Sequence, residues 1–237
     1  LLELSPHCFS LREPEMLRWF ATGSYRERLP IVLATLSRVF RPPQRAVIKV
    51  TSWGNAISSR LMDEVPSARA ILMFVPLASF LPAVLDGSLH DASVQQPLRR
   101  QRFQQFFAAL ELPVKLAPGE EVALLWLVEM LTLWQLHQQY QERTLWLNFE
   151  RLLVEREAAW NDIFRTLKCT GDVGPVLSSE LWQRYSKRPD VQYDASFRAE
   201  LIRLGTEKHA TEVRRGLACV ESMASHLPSE VAYLAVT

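Results

Sequence analysis

Near-continuous apolar runs, each parted from the next by stretches of helical periodicity, constrain this chain more than any other feature. Ala46-Val47-Ile48-Lys49-Val50 and Ala70-Ile71-Leu72-Met73-Phe74-Val75 are the clearest. His7-Cys8-Phe9-Ser10-Leu11 is a short β-compatible segment closed by Arg12-Glu13-Pro14, and Arg143 to Phe149 (RTLWLNF) is a fourth strand candidate. Strands that are apolar along their whole length need cover on both faces, and a parallel sheet flanked by helices supplies it. The expected fold class is therefore α/β and helix-rich.

The intervening segments carry the helices. Pro14 suits the first turn of a helix through Met16, Leu17, Trp19 and Phe20. Glu27 to Phe40 follows and stops ahead of Arg41-Pro42-Pro43, because the residue before a proline is pushed out of the helical region. Thr51 to Asn55 opens another helix, which ends near Pro66, and Phe80 to Leu85 is a short one. Asp86 to Gln96 reads as loop, Arg99 to Leu110 as helix and Pro113 to Gly119 as linker. Glu120 to Tyr140 is apolar on almost every face until Trp134, which predicts a central helix. Arg151 to Leu167 is amphipathic, Ser178 to Tyr185 reads as a further helix, and Phe197 to about Leu204 and Thr206 to His226 close the chain.

Composition excludes several classes. At 48% hydrophobic and 22% charged residues, the 237-residue chain is neither disordered, collagen-like nor a coiled-coil rod. A net charge of +1 gives no global field for a polyanion, so no nucleic acid is expected as partner. The longest apolar run, Val122 to Val128, falls far short of the roughly 20 residues a membrane-spanning helix needs. The first residues have no basic n-region, so no signal peptide is expected. A cytoplasmic location is the expectation, with a secretory-pathway lumen as the alternative. Cys8, Cys169 and Cys219 are widely spaced, without C-x-x-C or zinc-ligand spacing. They read as three reduced thiols, or as one disulfide plus a free thiol in an oxidising compartment, and no metal site is expected. Only 8 glycines are present, and neither G-x-G-x-x-G nor G-x-x-x-x-G-K-[ST] occurs.

Ligands of parallel sheets bind beyond the carboxyl ends of the strands. That directs attention to Arg12-Glu13, Lys49 to Gly54, Val75 to Leu77 and Asn148 to Arg151. Lys49 stands among apolar neighbours and is followed by the hydroxyls of Thr51 and Ser52. A lysine and hydroxyls at a helix N-terminus suit a phosphate or sulfate group. The plainer reading is a solvent-facing lysine with Ser52 as an N-cap. Glu13, restrained by Pro14, is a candidate general base; the plainer reading is a glutamate that supports the following helix through its dipole. Arg99, Arg100 and Arg102 form a basic run that suits an anionic acceptor or a solvated helix face.

Taken in order, these segments resemble the sulfotransferase family. Leu1-Leu2 through Leu11-Arg12-Glu13-Pro14 resembles the stretch after that family's 5′-phosphosulfate loop, where the helix leads into an acidic E-P turn, and Val47-Ile48-Lys49-Val50-Thr51-Ser52 resembles its lysine-then-polar strand. Val65-Pro66-Ser67-Ala68-Arg69-Ala70-Ile71-Leu72 resembles its segment F-P-x-A-x-x-I-x-L, which in the family leads into R-D-P. Trp146 to Leu153 resembles the segment V-R-Y-E-D-L, and Arg184-Tyr185-Ser186-Lys187-Arg188 the late Y-S-K segment of bacterial-type members. The resemblance runs over about residues 1 to 205. It implies a single P-loop, nucleotide-kinase-like domain over 1–237, with the family's first strand and phosphosulfate loop expected upstream of Leu1. It further implies sulfuryl transfer from 3′-phosphoadenosine 5′-phosphosulfate (PAPS) to a hydroxyl or amine of a small-molecule or carbohydrate acceptor. Lys49, Thr51, Ser52 and Lys187 would face the co-substrate, with Glu13 as base and Lys49 on the transferring group. Two positions depart from the pattern. Val75 stands where the family has an arginine for the 3′-phosphate, and Ala83 where it has that arginine's partner serine. These departures define the alternative, a catalytically degenerate binding or scaffold protein. A nucleotide kinase relative would need an acid after a strand to hold magnesium, and none of the assigned strands is followed by Asp.

Overall fold

In the computed structural model the described residues are 2, 5–21, 23, 25–42, 44–50, 52–87, 101, 104–107, 115–185 and 188–236. The early apolar segments form strands where their composition places them: β1 (Cys8–Arg12), β2 (Arg45–Lys49), β3 (Ala70–Phe74) and β4 (Thr144–Asn148). β1 and β2 are parallel, in register from Cys8 opposite Arg45 to Arg12 opposite Lys49. A parallel pair needs a crossover, and the helices Met16–Ala21 and Leu29–Leu36 supply it. Their inner faces bury Leu17, Phe20, Leu29, Leu33 and Leu36 against Leu11 of β1, Ile48 of β2 and Ile57, Leu61 and Val65 beyond it.

β3 and β4 form a second two-stranded sheet. Asn148 ends β4 and caps the helix Phe149–Val154, its side-chain oxygen accepting the Glu150 N–H at 2.9 Å. The stretch expected as one helix over Arg151–Leu167 is two, because Glu155 leaves the helical region and a new helix, Arg156–Leu167, starts after it. Arg151 braces the bend, its guanidinium 2.8 Å from the Glu155 carboxylate and 2.9 Å from that of Asp162. Trp160, Ile163 and Phe164 then pack with Leu147, Leu152, Val173 and Val176 into one core, with Ile71 and Leu145 at its edge.

The chain divides into two compact units, one of residues 1–73 and 135–194 and the other of 74–134 and 195–237. The first holds the β1–β2 ladder and both clusters just described. The second is built from the helix Leu77–Leu85, most of the helix Pro118–Gln139, and the helices Ala195–Lys208, Ala210–Ser222 and Ser229–Val236. Val122 to Val128 are all buried, as a helix apolar on every face requires. The start of that helix lies backbone against backbone on Ala210–Ser222. A Cβ on Gly119 would come within 1.9 Å of the Glu212 carbonyl oxygen, and one on Gly216 within 2.7 Å of the Gly119 carbonyl oxygen. No helix among the described residues is long and apolar enough to cross a membrane.

Three further expectations change. The sheet is divided among the described residues into three two-stranded ones. The stretch read as a helix over Ser178–Tyr185 is a 3₁₀ turn, Glu180–Gln183, running into β5 (Arg184–Tyr185), which pairs antiparallel with β6 (Arg188–Gln192). That stretch holds too few apolar residues to make a helical stripe, so its backbone is satisfied by a hairpin partner instead. The last helix, Ser229–Val236, lies beyond the expected end at His226. The expected loop over Asp86–Gln96 and helix over Arg99–Leu110 lie mostly outside the described residues.

Candidate functional site

The parallel register sets the site. It brings the carboxyl ends of β1 and β2 together, so that Arg12 lies opposite Lys49. One residue on, the Glu13 N–H donates to the Lys49 carbonyl oxygen at 2.8 Å, which extends the ladder by one bond. Glu13 then adopts φ +47°, in the left-handed region that residues with a side chain seldom occupy. The proline rule favours an extended conformation here. The ladder bond on one side and Pro14 on the other impose a sharp turn instead.

This turn sends the Glu13 side chain back across the strand ends, where Oε1 meets Lys49 Nζ at 2.6 Å. Both are open to solvent, with Lys49 69% and Glu13 44% exposed. An exposed pair of this kind adds only about 0–1 kcal/mol to stability. Its value is geometric, since it presents one cationic donor and one anionic acceptor side by side to an incoming group.

The segments leaving the two strands lie against each other beside the strand ends. After β1 comes the helix Met16–Ala21, and after β2 the 3₁₀ turn Ser52–Ile57, and these two pack together. Gly54 permits the turn, because a Cβ there would overlap Val50 Cγ1 at 2.3 Å. Ser52 opens the turn and is exposed. Of the expected site residues, the candidate base Glu13 and the anion-facing Lys49 are therefore in contact, and Ser52 stands just beyond the same strand end. Thr51 and Lys187 lie outside the described residues, as do Arg99, Arg100 and Arg102.

Val75 and Ala83 belong to the second unit. The Val75 carbonyl oxygen accepts the Trp126 indole N–H at 2.8 Å, and Ala83 is exposed on the helix Leu77–Leu85. Neither side chain offers a donor to a phosphate.

One contact had no signal in the sequence. Cys8, at the start of β1, and Cys169, 161 positions later, lie with their Sγ atoms 3.2 Å apart. Neither spacing nor periodicity joins them; only the packing of the helix Arg156–Leu167 beside the strands does so. Compared with family models, with curated proteins and with solved structures, the chain matches none.

Proposed function

We propose that this chain transfers a sulfuryl group from PAPS to an acceptor hydroxyl or amine, on a P-loop, nucleotide-kinase-like fold of the sulfotransferase type. The observation that carries the reading is the Glu13–Lys49 pair, a carboxylate and an ammonium 2.6 Å apart at the carboxyl ends of two parallel strands. In this reading Lys49 Nζ turns from Glu13 to the sulfuryl oxygens, with the Ser52 hydroxyl beside it. The Glu13 carboxylate, released, takes the acceptor's proton. The acceptor oxygen or nitrogen bonds to sulfur as the bond from sulfur to the 5′-phosphate oxygen breaks, and 3′-phosphoadenosine 5′-phosphate leaves. The chain's own work is positioning and charge stabilisation. The acceptor is a small molecule or a carbohydrate.

The strand-end residues suit the anionic sulfuryl group, whereas Val75 and Ala83 do not suit a 3′-phosphate. Without the arginine contact, binding is weaker by about 1.5–3 kcal/mol, or roughly tenfold to a hundredfold in affinity. The same two residues favour a second reading, a catalytically degenerate sulfotransferase-like binding or scaffold protein. Isothermal titration of the full-length protein with 3′-phosphoadenosine 5′-phosphate separates the two. The transferase reading expects saturable heat, whereas Lys49→Ala, which removes the ammonium facing the sulfuryl group that this ligand lacks, should be read by its loss of sulfuryl transfer from PAPS. No heat up to millimolar ligand would leave only the scaffold reading.

A further inference from the structure

We propose that Cys8 and Cys169 form a reversible thiol–disulfide site, oxidised by a hydroperoxide, in the first unit of this protein. The proposal is independent of the sulfuryl-transfer reading. It rests on how firmly the backbone places both sulfurs. Cys8 is the first residue of β1, opposite Arg45, and its N–H donates to the Ser5 carbonyl oxygen at 3.1 Å. The Arg45 N–H holds the neighbouring His7 carbonyl oxygen at 2.8 Å. Cys169 follows the helix Arg156–Leu167 through a left-handed cap at Lys168, φ +51°. Two hydrogen bonds close that cap, from the Lys168 N–H to the Arg165 carbonyl oxygen and from the Cys169 N–H to the Phe164 carbonyl oxygen. Two residues on, Gly171 at φ +116° lies so close to His7 that a Cβ would stand 3.1 Å from its ring. The loop after this helix is thus seated on the start of β1 at two neighbouring points.

The two sulfurs are in contact at 3.2 Å, and a shift of about 1 Å brings them to a bond of about 2.05 Å. No third His, Cys, Asp or Glu joins them in a metal-holding group among the described residues, which favours a redox pair over a metal centre. The two thiols differ. Hydrogen bonds from the Cys169 and Ser5 side chains and the Arg45 charge outweigh burial and lower Cys8 to about 7, while the same contact and burial raise Cys169. Cys8 is therefore the nucleophile and Cys169 the resolving thiol. The Cys8 thiolate attacks one peroxide oxygen, the O–O bond breaks, and Cys8 becomes a sulfenic acid with loss of hydroxide. The Cys169 sulfur then displaces hydroxide from the Cys8 sulfur. Two thiols and one hydrogen peroxide give one disulfide and two waters. Cys8 is only 6% exposed, which favours an oxidant as small as hydrogen peroxide over a bulky disulfide.

The test treats the whole chain with hydrogen peroxide near neutral pH, alkylates it in denaturant and maps its peptides by mass spectrometry. The expected result is the Cys8 peptide joined to the Cys169 peptide, lighter by two hydrogens than their sum and parted by dithiothreitol. Alkylated thiols fall from three per chain to one, Cys219. Cys219→Ser should form the same link in full. In Cys169→Ser, Cys8 should stop at a sulfenic acid that dimedone traps. Because the unsubstituted chain carries the main readout, a folding defect in either variant leaves the test intact. Cys8 recovered as sulfinic acid without a linked peptide, a link to Cys219, or three unmodified thiols after peroxide would each overturn the proposal.

Discussion

Glu13 and Lys49 hold each other twice, through the ladder bond and through the side chains, and the backbone of Glu13 is strained as a result. A left-handed residue with a Cβ lies about 1–2 kcal/mol above glycine in the same conformation. Glu13→Gly should therefore be more stable than Glu13→Ala by about 1 kcal/mol by urea denaturation. This follows although both lose the same exposed ion pair, and in the sulfuryl-transfer reading proposed above both should lose that activity. The two residues themselves were legible, because a charged side chain at the end of an apolar strand segment is conspicuous. The conformation of Glu13 was not, since the proline rule pointed to extended backbone and the register that overrides it belongs to β2. The thiols make a second prediction at this scale. Cys8 is lowered from 9.0 to about 7, so raising the pH through about 7 increases its thiolate. Loss of the Cys8 thiol to peroxide, followed by rapid alkylation and peptide mapping, should speed up across that range and then level off. Cys219, which burial pushes up to about 11, should respond only well above it. By linkage, the depressed Cys8 thiol adds stability to the reduced fold as pH rises from about 7 to 9.0, an advantage lost as pH falls back through about 7, and the raised Cys169 and Cys219 thiols oppose it above 9.0.

Among the elements, the strands were the most legible part of the fold, because an apolar run four to six residues long has few other ways to be buried. β1 to β4 lie within a residue or two of their expected limits. Their pairing was not legible. Periodicity reports which side chains are buried but not which strand lies alongside, so one expected sheet became separate pairs. The hairpin β5–β6 was missed for the opposite reason, since its segment is polar and follows neither period clearly. The helix contacts of the second unit allow a sharp test. An alanine in place of a helical glycine usually stabilises by about 1 kcal/mol. At Gly216 the new Cβ would press on the Gly119 carbonyl oxygen and the Leu81 side chain, both at 2.7 Å. Gly216→Ala should therefore destabilise the protein by about 1–3 kcal/mol, read as a lower urea midpoint with an unchanged slope.

For the molecule as a whole, neither unit is one continuous stretch of chain. The first is completed only when residues 135–194 return to residues 1–73, and the second only when 195–237 join 74–134. That interleaving was invisible in the sequence, where no linker or change of composition marks a boundary between units. It gives the thiol pair a reach beyond its own surroundings. Cys8 lies in the first segment of the first unit and Cys169 in the returning one, and everything between 74 and 134 is the excursion between them. A bond between these sulfurs would turn that excursion into a closed ring. A protease that cut the chain once anywhere between residues 74 and 134 should then yield two fragments that migrate as one molecule in denaturant until dithiothreitol is added. The reduced protein, cut at the same place, should fall apart at once.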